Sequence, residues 1–452
     1  MKKIKSFFDN IFEIFSKGDI YTRLSFIIMG SGSLFRKQFV RGFTYLAFQV
    51  LSIMYLVFSG FASIVGLKTL GTVEQGKVFD EARGIYVYSQ GDNSMLFLLF
   101  GVFAFFIIIA LIMVYIMNIN NAYENQKLVE RGKKLPKFKD DIKLLLDSKF
   151  HISVLTIPTV LTFLFTVLPL IFMILIAFTN FDSNHQPPGN LFTWVGMQNF
   201  KDVFGDSKII SGTFVSLLQW TLIWAVFATF LNYILGMLLA ILINSRGVKI
   251  KKFWRTIFVV TIAVPQFVSL LLMSQLLADG GSLNVVLMNM GIIDAPIKFL
   301  TDGLLAKITV VIINCWVGIP YSMLITTGIL MNIPSDMYES AKIDGATSFT
   351  MFRKITMPYM LSVTTPYLIT QFVANINNFN VIYLLTKGGP LSLDYYQAGK
   401  TDLLVTWLYK LTVTEKNYSL ASTLGIIIFI ICSVFSLIIF RKTLSQEEGK
   451  FN

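Results

Sequence analysis

An all-α polytopic membrane fold follows from three features of the sequence. Hydrophobic residues fill 54% of the 452 positions and charged residues only 14%, with a mean hydropathy of +0.67. A water-soluble fold cannot hide that much apolar surface. Uninterrupted apolar runs of about 20 residues, the length that crosses a bilayer as a helix, recur along the chain. Lys and Arg gather at the edges of those runs, as they do in polytopic membrane proteins.

The chain begins with Lys alternating with Phe and Ile from Met1 to Gly18, without the continuous apolar core of a cleavable signal. This stretch reads as an amphipathic helix on the inner leaflet, with a disordered basic tail as the alternative. Eight runs are long enough to span, near 42–64, 94–118, 152–179, 213–244, 256–278, 306–331, 359–385 and 418–440. Eight spans place both termini on one side. The segments sharing that side hold 27 of the 38 Lys and Arg, the opposite segments 11. The bias puts both termini in the cytoplasm and sets the net charge of +12 against anionic lipid. Basic residues scattered at membrane edges do not suit a nucleic-acid partner. The layout divides into a basic and amphipathic segment at 1–41, two N-terminal spans at 42–118, a basic cytoplasmic linker at 119–150, a six-span core at 151–445 and a tail at 446–452.

Several chemistries are excluded. Cys315 and Cys432 both lie inside apolar runs, and His151 and His185 have no second ligand at metal spacing, so no disulfide framework or metal site is expected. The spans carry almost no ionisable residue; Lys307 sits at an edge. Carriers driven by protons or sodium usually need buried carboxylates, His or Arg. No G-x-x-x-x-G-K-[ST] loop is present to bind ATP, and no paired carboxylates or Ser/His/Asp set suggests an enzyme. Energy must arrive from another polypeptide.

Uncharged polar residues do occur within spans, in stripes. Gln371, Asn375 and Asn378 stand at i, i+4 and i+7, on one helix face, and Asn314, Gly318 and Tyr321 repeat that spacing one span earlier. Pro320 removes a backbone bond and frees the carbonyl of Trp316. Amides, a phenol and free carbonyls suit a neutral polyhydroxylated ligand, and Trp316 and Tyr321 offer flat faces for a sugar ring. The competing explanation is that these amides only join helices. Between the sixth and seventh spans, residues 333–358 run Ile333-Pro334-Ser335-Asp336, then Glu339, Ala341, Asp344-Gly345-Ala346, Phe349, Arg353-Lys354 and Pro358. Ser335 or Asp336 is placed to cap a short helix, and Asp344-Gly345 to end it.

That segment resembles the EAA loop of ABC importer permeases, which docks as a coupling helix on a cytoplasmic ATPase. The stretches Gln371–Asn380, Leu384–Pro390, Thr401–Val405 with Tyr409, and Trp316–Tyr321 are similar to the larger, MalF-type permease of maltose and maltodextrin importers. The resemblance covers most of residues 150–445. It implies a transport subunit and not an enzyme, in the plasma membrane of a bacterium. The implied partners are a second, MalG-like permease, two copies of an ABC ATPase and an extracytoplasmic sugar-binding protein. No cofactor belongs to this chain; ATP and Mg are held by the ATPase. The substrate implied is an oligosaccharide, maltodextrin first, with galactosides or raffinose-type sugars as the alternative. A secondary sugar carrier and a membrane-bound lipid-sugar transferase are the rivals from other classes. Sugar contacts carry over onto Asn314, Val317, Gly318, Tyr321, Gln371, Asn375 and Asn378, with Gln266 added from Ile262-Ala263-Val264-Pro265-Gln266. ATPase contacts carry over onto Glu339, Ala341, Asp344, Gly345 and Ala346. The chain departs from the maltose pattern at Ile262 (Tyr there), Gln266 (Ser) and Gln371 (Ser). Its outer loop at about 66–93 is also short where some maltose permeases carry a folded domain. These departures leave the exact sugar open.

Overall fold

The structure is a computed structural model and describes residues 2–245 and 247–448; positions 449–452 of the expected tail lie outside the described residues. It consists of two compact units, Met1–Val195 and Gly196–Asn452. Among the described residues six helices are long and apolar enough to cross a membrane: Phe39–Gly66, Ser94–Glu130, Phe150–Ile176, Lys208–Asn244, Gly303–Leu330 and Tyr418–Arg441.

The first unit opens with the expected helix, Lys2–Lys17. Three buried amides of the Ser94–Glu130 helix bolt the N-terminal segment down. Asn118 Oδ1 accepts from the Gly30 amide at 2.9 Å while its Nδ2 donates to the Ser25 carbonyl at 3.0 Å. Asn125 donates to Gln38, and Gln126 accepts from the Asp19 amide and donates to the Lys17 carbonyl. In an apolar surrounding each of these would be costly unpaired, so they fix the segment's register. Asn93 starts the long helix by accepting from the Leu96 amide. The outer loop forms a small antiparallel hairpin, Gly76–Asp80 against Ile85–Ser89. The Phe150–Ile176 helix groups with the two before it, and Phe163 meets Phe106 edge-on at 4.9 Å.

The second unit is built on Lys208–Asn244, Gly303–Leu330 and Tyr418–Glu448. Its core gathers Phe214, Leu217, Phe372, Trp407, Leu411 and Leu424. Two expected spans are not continuous. The one at 256–278 is a pair, Lys251–Ala263 and Gln266–Leu276, bent by 86°. Pro265 has no amide hydrogen and holds Val264 extended at φ −76° and ψ 124°. The one at 359–385 is Met357–Ile376 followed by Phe379–Thr386, interrupted at Asn377 and Asn378. By contrast, the Gly303–Leu330 helix runs on through Pro320.

Asn118→Ala leaves the Gly30 amide and the Ser25 carbonyl buried without a partner, at about 1–3 kcal/mol each. Its thermal midpoint in detergent should fall clearly below wild type, whereas Asn10→Ala, on an exposed position, should stay within about 0.5 kcal/mol.

Candidate functional site

All eight expected ligand residues line one cavity of about 380 Å³ in the second unit: Gln266, Asn314, Val317, Gly318, Tyr321, Gln371, Asn375 and Asn378. Its walls come from four places. The Pro265 bend contributes Ile262, Gln266 and Ser269, and the Gly303–Leu330 helix contributes Asn314, Trp316, Val317, Gly318, Tyr321 and Ser322. The Met357–Ile376 helix brings Tyr367 and Gln371, and the Lys208–Asn244 helix brings Thr229 and Asn232. No Asp, Glu, Lys, Arg or His is among the lining residues. The chemistry offered is amide, hydroxyl and phenol beside the Trp316 ring, which is 60% exposed.

The amides divide into two sets. Asn375 Nδ2 donates to Thr229 Oγ1 at 3.0 Å, and its backbone carbonyl accepts from Trp224 Nε1 at 3.1 Å. Asn378 Nδ2 donates to Asn375 Oδ1 at 3.3 Å, while Asn378 Oδ1 accepts from the Val381 amide and caps the Phe379–Thr386 helix. These two are committed to holding the helix break. Asn314 and Asn232 differ. They are only 5% and 8% exposed, yet Asn314 Nδ2 and Asn232 Oδ1 have no hydrogen-bond partner. The cavity thus carries one buried donor and one buried acceptor without a partner in the protein.

Gly318, expected as a sugar contact, lines the cavity and also makes room between two helices. A Cβ there would overlap the Asn232 amide. On the facing helix a Cβ at Gly236 would sit 2.5 Å from Ser322 Cβ. Both glycines let the two helices touch, and Gly318 seats Asn232 against the cavity. Sequence reasoning missed Asn232, Thr229, Ser269 and Tyr367. Thr229 and Asn232 stand at i and i+3 in an apolar run, and that pairing was the available signal.

The coupling segment folds as a short helix, Ser335–Ile343. The expected Ser335 or Asp336 cap does not form: Pro334 occupies the cap position, and Ser335 Oγ bonds to Asp336. Pro334 fixes its own φ, so helix starts at the next residue without side-chain help. The end follows expectation. Gly345 takes φ +77°, its amide donates to the Lys342 carbonyl at 3.0 Å, and the Ala346 amide donates to the Ala341 carbonyl at 2.9 Å. Asp344 is the C-cap of the helix. Tyr338 and Thr356 hydroxyls bond at 2.8 Å and hold the helix to the start of the next one. Glu339 is exposed and lines a groove of about 480 Å³ with Lys342, Asn244 and Phe352. Ile343 at 87% and Phe349 at 71% exposure project from the two ends of the turn.

Beyond the Phe379–Thr386 helix, the Gly388-Gly389-Pro390 and Thr401-Asp402 stretches lock together. Asp402 is fully buried. It accepts from the Gly399 amide at 2.7 Å and the Thr406 hydroxyl at 2.8 Å, and pairs with Lys410 at 2.5 Å. Burial pushes its pKa up, and the Lys410 charge opposes that rise. A Cβ at Gly388, at φ +78°, would overlap the carboxylate, which explains the glycine.

The division between the amides predicts different stabilities. Asn378→Ala removes a helix cap and should destabilise the chain by about 1 kcal/mol. Gln371, which makes no side-chain hydrogen bond among the described residues, should lose less than about 0.5 kcal/mol as Ala. Thermal melts of the two purified variants decide; equal losses would make Gln371 a packing residue.

Residues 232–447 match the model of the family described as "Binding-protein-dependent transport system inner membrane component". The galactooligosaccharides transport system permease protein GanP of Bacillus subtilis is 35% identical over 424 residues, covering 93% of this chain and 97% of its own. The maltodextrin transport system permease protein MalC of Streptococcus pneumoniae is 35% identical over 426 residues, covering 92% and 94%. The crystal structure of a bacterial ABC transporter for import of the acidic polysaccharide alginate contains a chain with the same fold. It aligns with a TM-score of 0.52 at 21% identity, over 66% of this chain and 97% of that one. The chain belongs to the family of binding-protein-dependent inner membrane transport components, as a multi-pass sugar permease of the MalF type in an ABC importer.

Proposed function

We propose that this permease carries neutral oligosaccharides, maltodextrins foremost, through the 380 Å³ cavity. The observation that carries the reading is the lining: open amide groups on Asn314 and Asn232, an exposed Trp316 ring and no formal charge. A sugar hydroxyl both donates and accepts, so it satisfies the Asn314 donor and the Asn232 acceptor alike. An acidic polysaccharide would find no cation there. Each amide–hydroxyl bond contributes about 0.5–1.5 kcal/mol net, which holds a sugar weakly enough to be released. Galactosides are the second reading, favoured by the equal identity to a galactooligosaccharide permease.

The topology that fits is eight spans with both termini cytoplasmic. The two broken segments each serve as one span, and the core of six spans at 151–445 follows the two N-terminal spans. Non-helical backbone at membrane depth is tolerated where it lines a cavity, and both breaks do so at Pro265 and Asn378. A MalG-like subunit completes the pathway, a binding protein delivers sugar from outside, and two ATPase copies holding ATP and Mg drive alternation. The Ser335–Ile343 helix docks on one of them through Glu339, Ala341, Asp344, Gly345 and Ala346.

Uptake of labelled maltotriose and galactotriose by cells carrying the full importer tests the site. Asn314→Ala and Gln371→Ala should each weaken uptake by roughly 2- to 13-fold with assembly intact. Unchanged uptake in both removes the cavity from the pathway, and a preference for galactotriose decides for the second reading. Gly345→Asp tests the dock. Asp at φ +77° strains the turn and adds charge and bulk, so sugar-stimulated ATP hydrolysis should be lost while complex assembly persists. Normal stimulation in that variant would falsify the docking assignment.

A further inference from the structure

We infer that a basic cavity of about 520 Å³ in the first unit is a binding site for the phosphate of an anionic phospholipid. One wall is the short stretch leading into the Phe39–Gly66 helix, and the other is the linker stretch around Lys134 to Phe138. Gln38 joins them: its Nε2 donates to the Pro136 carbonyl at 2.9 Å, and its Oε1 accepts from Asn125 at 2.8 Å. The cavity is therefore preformed.

Five cations and one carboxylate, Asp141, line it. Two of the cations are engaged. Arg36 grips Asp19 and the Thr22 hydroxyl, and Arg41 pairs with Asp141 and bonds to Asn121. The side chains of Lys37, Lys134 and Lys137 form no ion pair among the described residues, although the Lys137 amide donates to Asp140 at 2.8 Å, and all three residues are exposed. Lys37 is also held at φ 63°, an unusual backbone state for lysine. Three ammonium groups without an ion pair, on a concavity lined by five cations and one carboxylate, attract a phosphate. What separates a lipid from a soluble anion is the rim. Phe39, Val40 and Phe138 belong to the same lining and are 58%, 47% and 52% exposed. Phe39 and Val40 begin the first apolar helix, so headgroup cations and acyl-chain contacts meet where that helix enters the membrane. A free phosphate has no use for the aromatic rim. That the lipid comes from the inner leaflet rests on the proposed topology.

The full-length protein, purified in detergent and offered an equimolar mixture of phosphatidylglycerol and phosphatidylcholine, tests this by native mass spectrometry. Bound phosphatidylglycerol should exceed phosphatidylcholine by at least tenfold. The K37Q/K134Q/K137Q variant should lose the preference and bind the two lipids about equally, each lysine being worth up to about fivefold. K139Q/K143Q/K149Q, which removes the same charge from the same linker away from the cavity, should keep its preference within about twofold. Equal loss in both triple variants would mean diffuse attraction and overturn the site, and so would displacement of the lipid by millimolar inorganic phosphate. Should the triple variant fail to fold, K134Q alone, on a loop position, should lower the preference about fivefold. The leaflet is tested separately by the side from which K139C is labelled in oriented vesicles. Labelling from outside overturns the leaflet assignment and the topology together, while the detergent measurement does not depend on either.

Discussion

Two glycines, each seated against a side chain of the facing helix, set up the second unit. Lipid gives apolar helices no hydrophobic reason to associate, so close van der Waals packing must hold them. Gly236 and Gly318 supply it, one against Ser322 and the other against Asn232. The contact has a chemical consequence. With Gly318 beneath it, the Asn232 amide is buried, and its Oδ1, like Asn314 Nδ2 on the same cavity, has no hydrogen-bond partner. Packing and ligand chemistry are thus one arrangement, and a methyl at 318 would disturb both.

The same economy governs the helix breaks. Irregular backbone in a membrane needs its polar groups satisfied from within the protein. At the Asn377–Asn378 interruption, Asn378 caps the following helix and bonds to Asn375, which is tied in turn to Thr229 and, through its carbonyl, to Trp224. At the other break Pro265 has no amide hydrogen to satisfy. The bend it imposes turns Gln266 and Ser269 into the cavity wall. Polar side chains in these spans therefore split between those that stabilise broken backbone and those, such as Asn314, with a polar atom left unpaired.

The first unit uses buried amides for another purpose. Asn118, Asn125 and Gln126 fix the N-terminal segment to a long helix. Asp402 does comparable work in the second unit, where its carboxylate gathers a loop around a side-chain-free Gly388. In each case one buried polar group specifies the path of a chain segment that apolar contacts alone would leave loosely defined.

The sequence alone determined the membrane class, most helix positions, the turn at Gly345 and part of the cavity lining. These rest on local signals: apolar run length, the 3.6-residue spacing that put Asn314, Gly318 and Tyr321 on one face, and the conformational freedom of glycine after Asp344. The resemblance to sugar permeases added Val317 and Gln266. Tertiary structure alone decided which amides are free. Asn375 and Asn378 carry the same side chain as Asn314, and only their neighbours, Thr229 and the Val381 amide, commit them. It also decided the role of Gly318 and the presence of Asn232, because the residue filling a glycine's empty space lies 86 positions away in sequence (318 − 232). Proline gave an ambiguous local signal: Pro265 broke its span and Pro320 did not. A lost backbone bond can be absorbed or expressed as a bend, and the packing around it makes that choice.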